Sequence, residues 1–154
     1  MGLYLFFFIF TDDPECQFIQ DSDPEKSSDH RSQIMQFCGH EPICRKLNNI
    51  KALEKAKTNV EKHYSVVGIT ENINMTLAVL QVKMPEYFKD AAEFYHQDPE
   101  AKKRQVKTAN KLPISEKVMK ILTANLTQEI EFYEYCKKRL QRQFDEMLSE
   151  NLLD

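Results

Sequence analysis

Glycine is scarce in this sequence: only Gly2, Gly39 and Gly68 occur in 154 residues, and they lie far apart. A loop that cradles phosphate on its backbone amides needs several glycines close together, so the chain encodes no such loop. Excess positive charge is also lacking. The formal net charge of -3 excludes a general nucleic-acid binder and requires any anion site to arise from a local patch. Nor is there a long hydrophobic run. The most apolar stretch, Gly2 to Phe10, is shorter than the roughly 20 residues that cross a bilayer as a helix. It has no basic residue before it and no small-residue cleavage site after it, so it reads equally as a buried strand or a targeting remnant.

What is present suits one globular domain, with 42% hydrophobic and 29% charged residues. Residues 1–10 form the apolar start and 11–36 a polar loop rich in acids and serines, with Pro14 and Pro24. Residues 37–150 carry the periodic patterns of a folded unit. At its head stands Phe37-Cys-Gly-His-Glu-Pro-Ile-Cys44, whose cysteine spacing differs from the two-residue gap usual in zinc sites. The spacing favours a local disulfide between Cys38 and Cys44. Two buried thiols, or a Cys16/Cys38/His40/Cys44 metal site, are the alternatives.

Asn49 to His63 reads as an amphipathic helix, with His63 at the negative end of its dipole. Ser65 to Ile69 follows as an uncharged β-branched run, which fits a strand buried on both faces of a parallel sheet. Thr70 is a candidate N-cap for the next helix, whose expected buried face is Ile73, Leu77, Leu80 and Met84. Pro85 should end it, with Tyr87 and Phe88 packing beyond. A short helix is expected over Asp90 to His96, another from Ser115 to Leu122, and a last one from Leu126 to Leu148. The last helix should bury Ile130, Tyr133, Lys137, Leu140, Phe144 and Met147, with Cys136 beside them. Helix, buried strand and helix in succession give an α/β class.

Between the short helices lies Ala101 to Lys111, the one concentrated positive patch. Composition alone allows a solvated basic loop or an anion site in which Lys or Arg heads and the Thr108 hydroxyl hold a phosphate. Two sequons, Asn74-Met-Thr76 and Asn125-Leu-Thr127, would permit N-glycosylation in a secretory compartment.

Six stretches, in this order, resemble the uronic-acid 2-O-sulfotransferases, the group comprising the heparan sulfate and uronyl enzymes. They are Phe37 to Cys44, Ala52-Leu-Glu-Lys-Ala-Lys-Thr-Asn59, Val66-Val-Gly-Ile-Thr-Glu71, Met84-Pro-Glu-Tyr-Phe88, Lys107-Thr-Ala-Asn-Lys-Leu-Pro113 and Glu131-Phe-Tyr-Glu-Tyr135. The resemblance covers most of Phe37 to Phe144 and corresponds to the family's C-terminal portion. It implies a helix-rich part of a sulfotransferase fold, a P-loop-like parallel sheet of which this chain carries an incomplete share. It implies sulfuryl transfer from 3′-phosphoadenosine 5′-phosphosulfate to the 2-hydroxyl of iduronate or glucuronate in heparan, dermatan or chondroitin sulfate. A histidine base takes the hydroxyl proton, while amides and basic residues stabilise the leaving phosphate.

By match, Thr108 and Lys111 would hold the 3′-phosphoadenosine end of the cofactor, and Lys103 is a third candidate. The phosphosulfate loop and the catalytic histidine have no counterpart, and none of His30, His40, His63 and His96 stands in a catalytic motif. No catalytic residue and no metal ligand is therefore assigned. The chain is expected to be an inactive fragment of such an enzyme. The resemblance also implies a Golgi lumen or membrane location, a Cys38–Cys44 bridge and the possibility of a homo-oligomer. A non-catalytic helical module that binds an acidic glycan or protein through the basic segment is the alternative.

Overall fold

The computed structural model describes residues 32–97 and 116–152, and these fall into two compact units. The first comprises residues 32–64 and 116–135, the second residues 65–97 and 136–152. All regular structure among the described residues is helical, and the expected strand forms no ladder there.

In the first unit, α1 (Gln33–Cys38) leads through a 3-10 turn (Pro42–Arg45) to α2 (Ile50–His63). Pro42 opens the turn, where a missing N–H costs nothing. Asn49 caps α2 by accepting the Ala52 N–H at 3.1 Å. The helix ends at His63, where Lys62 and His63 suit its negative terminus. Its buried side is Ala52, Leu53, Ala56 and Val60, and α1 packs on it. Helix α6 (Glu116–Asn125) and the first part of α7 (Thr127–Ser149) complete the unit. Asn48, held at φ 53, accepts the Gln128 N–H at 3.2 Å and donates to the Asn125 carbonyl. One side chain thus serves the end of α6 and the start of α7.

In the second unit, Ser65 to Ile69 is followed by a 3-10 turn (Thr70–Asn72), then α3 (Ile73–Lys83), α4 (Pro85–Phe88) and α5 (Ala91–Gln97). Ile69 is extended and buried, but side chains rather than a neighbouring strand serve the backbone here. The Thr76 hydroxyl accepts the Ile69 N–H at 2.9 Å and donates to the Ile69 carbonyl at 3.0 Å. Gln143 donates to the Ser65 carbonyl at 2.8 Å. The apolar run Gly2 to Phe10, read from sequence as a buried strand or a targeting remnant, lies outside the described residues.

Three local expectations are corrected. Thr70 does not cap α3; its hydroxyl goes to Glu71, and Asn72 does the capping, accepting the Met75 N–H at 3.4 Å. The buried residues of α3 are Thr76 and Val79, whereas Ile73, Leu77, Leu80 and Met84 are only half-buried. Apolar residues surround this helix on every side, so spacing alone selects no face, and the Thr76 clasp decides. The stripe of α7 is rotated: Glu129, Phe132 and Arg139 are buried with Tyr133, Cys136, Leu140 and Met147, while Lys137 is exposed. Pro85 ends α3 as expected, but Tyr87 beyond it is 76% exposed.

Candidate functional site

Lys103, Thr108 and Lys111 lie outside the described residues, which frame the basic segment on either side. Helix α5 precedes it in sequence and carries exposed His96 in its last turn, whose ring meets Tyr95 edge-on at 5.5 Å. Helix α6 follows it. Two amines and a hydroxyl suit a phosphate: Lys supplies positive charge and three N–H donors, and Thr a rotatable O–H. The chemistry of these residue types suits a phosphate group.

The described part of the first unit is a scaffold built around the cysteine loop. Cys38 and Cys44 are joined by a disulfide and are 1% and 2% exposed. Gly39 takes φ 109, a conformation that side-chain-bearing residues rarely adopt. Asn59 on α2 donates to the carbonyls of Phe37 at 2.8 Å and Cys38 at 3.2 Å, which tethers the loop to the helix. The Phe37 ring packs on Tyr64 at 4.9 Å and Phe132 at 5.2 Å. Lys55 and Glu41 form an ion pair between helix and loop, and His40 at the loop's tip is exposed.

Glu129 anchors the start of the scaffold. Its carboxylate accepts the Gln33 N–H at 3.0 Å, the Ile34 N–H at 3.4 Å and the Ser32 hydroxyl. Ser32 itself caps α1 by accepting the Met35 N–H at 3.1 Å. Burial raises the Glu129 carboxyl above its ordinary value, against the lowering pull of those hydrogen bonds. Buried acids with shifted titration often mark chemistry. Here every partner is a donor at a helix terminus, so the role is structural. Sequence reasoning missed this residue, because a Glu in the first turn of α7 looks like ordinary dipole compensation.

Lys57 reaches Glu131 at 2.8 Å and Glu54 at 3.1 Å, with its ammonium 5.6 Å from the Tyr135 ring centroid. Burial lowers the Lys57 ammonium's pKa, but bonds and charge from Glu131 and Glu54 outweigh that and raise it overall. Tyr135 in turn donates to Glu61. Among the described residues no group of His, Cys, Asp and Glu could hold a metal ion. The alternative four-ligand site is set aside for Cys38 and Cys44, whose sulfurs are bonded to each other; Cys16 lies outside the described residues. Asn74 is exposed in the first turn of α3, and Asn125 is exposed at the last residue of α6. No helix among the described residues is long and apolar enough to cross a membrane.

Residues 10–136 match the profile of the Sulfotransferase family. The Drosophila melanogaster protein named uronyl 2-sulfotransferase homolog pip is 40% identical over 133 residues, 86% of this chain and 26% of the relative. Human uronyl 2-sulfotransferase is 36% identical over 136 residues, 84% of this chain and 32% of the relative. Chicken (Gallus gallus) heparan sulfate 2-O-sulfotransferase 1 is 34% identical over 110 residues, 71% of this chain and 31% of the relative. The chain thus spans about a quarter to a third of the length of these relatives.

Proposed function

The chain belongs to the sulfotransferase family, and on that premise we propose that it is part of a glycosaminoglycan uronic-acid 2-O-sulfotransferase. The reaction would move sulfate from 3′-phosphoadenosine 5′-phosphosulfate to the 2-hydroxyl of iduronate or glucuronate. The observation that carries this reading is the family match over residues 10–136, a range that includes Lys103, Thr108 and Lys111. These three residues would bind the phosphoadenosine end by charge and hydrogen bonding. The donor, when bound, supplies the activated sulfuryl group.

The scaffold around the disulfide loop, tethered by Asn59 and capped by Glu129, positions the first unit's helices. Among the described residues His40, His63 and His96 are all exposed, and none stands in a catalytic motif. With no glycine-rich loop in the sequence, we expect this chain by itself to bind without turnover. The disulfide and the exposed sequon residues Asn74 and Asn125 support a secretory, Golgi-type compartment. The test is transfer of labelled sulfate by the isolated chain to desulfated heparan or dermatan. No incorporation above a boiled control is expected, and clear turnover would refute the assignment of this chain as catalytically incomplete.

A further inference from the structure

Helix α2 carries opposite charge on its two exposed flanks. Placing its residues at 100° intervals, Lys51, Lys55, Thr58 and Lys62 fall along one flank, while Glu54, Glu61 and the Lys57–Glu131 pair fall along the other. From Lys51 to Lys62 the basic flank runs about 16 Å, at 1.5 Å per residue. Arg45 and Lys46 precede the helix, exposed and within four residues of the cap Asn49. Glu41 pairs with its Lys55. Lys51 and Lys62 make no ion pair among the described residues.

Lys51 is the informative member. It sits in the first turn of α2, which contains no acidic residue, so its charge opposes the positive end of the helix dipole. Stability alone would favour an acid there. A lysine that weakens its own helix and makes no ion pair among the described residues is explained by a ligand that supplies the missing negative charge.

We propose that this flank is a docking edge for the glycosaminoglycan chain, reading its anionic groups at one-turn and two-turn intervals. This rests on the 2-O-sulfotransferase reading above and adds where the polymer lies outside the reacting unit. A linear polymer of carboxylates and sulfates suits a straight row of ammonium heads, which act as point charges without fixed geometry. The acidic flank on the same helix repels it, so the polymer is confined to one side.

The test uses the full 154-residue chain, oxidised, and a heparin oligosaccharide as probe. Lys51→Gln/Lys62→Gln is expected to weaken binding by about threefold to tenfold and to reduce the salt slope by about two, one per lost contact. Lys83→Gln/Lys120→Gln makes the same charge change on other exposed residues and should alter affinity by less than about twofold. Lys51→Glu should leave the melting temperature unchanged or raised while weakening heparin binding further, a split that a structural role would not produce. Equal losses in the two double variants, or none in either, would overturn the docking edge. So would a wild-type chain that does not bind heparin. Binding of 3′-phosphoadenosine 5′-phosphate, measured on the same samples, separates the two readings. If nucleotide binds and the flank is silent, only the docking edge falls; if neither ligand binds, the sulfotransferase reading falls with it.

Discussion

Gly68→Ala should destabilise the second unit through one identifiable clash. A Cβ added at Gly68 would lie 2.3 Å from the Thr76 Cγ2 methyl and 3.4 Å from its hydroxyl oxygen. Thr76 is 6% exposed, and its hydroxyl closes both hydrogen bonds to Ile69. Relief by rotating Thr76 breaks that clasp and strands the buried Ile69 N–H, leaving its C=O with only the Asn72 N–H at 3.1 Å, at about 1–3 kcal/mol. Relief by displacing the backbone is overpacking, of about the same size. The stiffer unfolded chain of the alanine variant returns about 0.4–1 kcal/mol. A net loss of about 1–2 kcal/mol is expected, read as a lower urea midpoint at unchanged slope.

Thr76→Ser supplies the control. It deletes the clashing methyl, keeps the hydroxyl and preserves the Asn74 sequon, with a cost of about 1 kcal/mol for the lost methyl. In the double variant the added Cβ occupies the vacated space, so the two effects should be strongly non-additive. A Gly68→Ala variant as stable as wild type, or an additive double variant, would refute the clasp as the organiser of this turn.

Two further outcomes follow from the first unit. Glu129 has its folded pKa raised above the ordinary 4.5, so the stability it contributes is complete below that value and is lost as pH rises through the folded pKa. Urea midpoints of wild type should fall over that window relative to Glu129→Gln; parallel pH curves would exclude the linkage. Reducing the Cys38–Cys44 bridge, which closes a loop with a sequence separation of 6, should cost about 2 kcal/mol, measured by unfolding with and without a phosphine reductant. Identical midpoints would show that the loop is held by Asn59 and packing alone.

Helix positions were largely readable from sequence, and side-chain clasps were not. Helix α2 was legible because its charged and apolar residues separate cleanly, and its cap Asn49 directly precedes the apolar face. Helix α3 was legible in extent but not in orientation, because Ile73 to Lys83 is apolar on all sides. Ser65 to Ile69 has β-branched residues and an extended backbone at Ile69, yet strand pairing depends on distant segments, and here side chains take up its polar groups. The Glu129 anchor joins residues 95 to 97 positions apart, a link that no local pattern encodes. The candidate nucleotide residues were reached only by resemblance, since a short run of lysines has the same composition whether it binds phosphate or water.

In the reading proposed above, this sulfotransferase-family chain holds the phosphoadenosine end of the sulfate donor. Calorimetric titration of the oxidised chain with 3′-phosphoadenosine 5′-phosphate tests it most directly. Saturable binding is expected, weakened about tenfold by Lys111→Ala and less by Thr108→Ala, as suits the loss of a charged and a neutral hydrogen bond to phosphate. A folded wild-type chain that takes up no nucleotide, or a Lys111→Ala variant that binds it equally well, would contradict the claim.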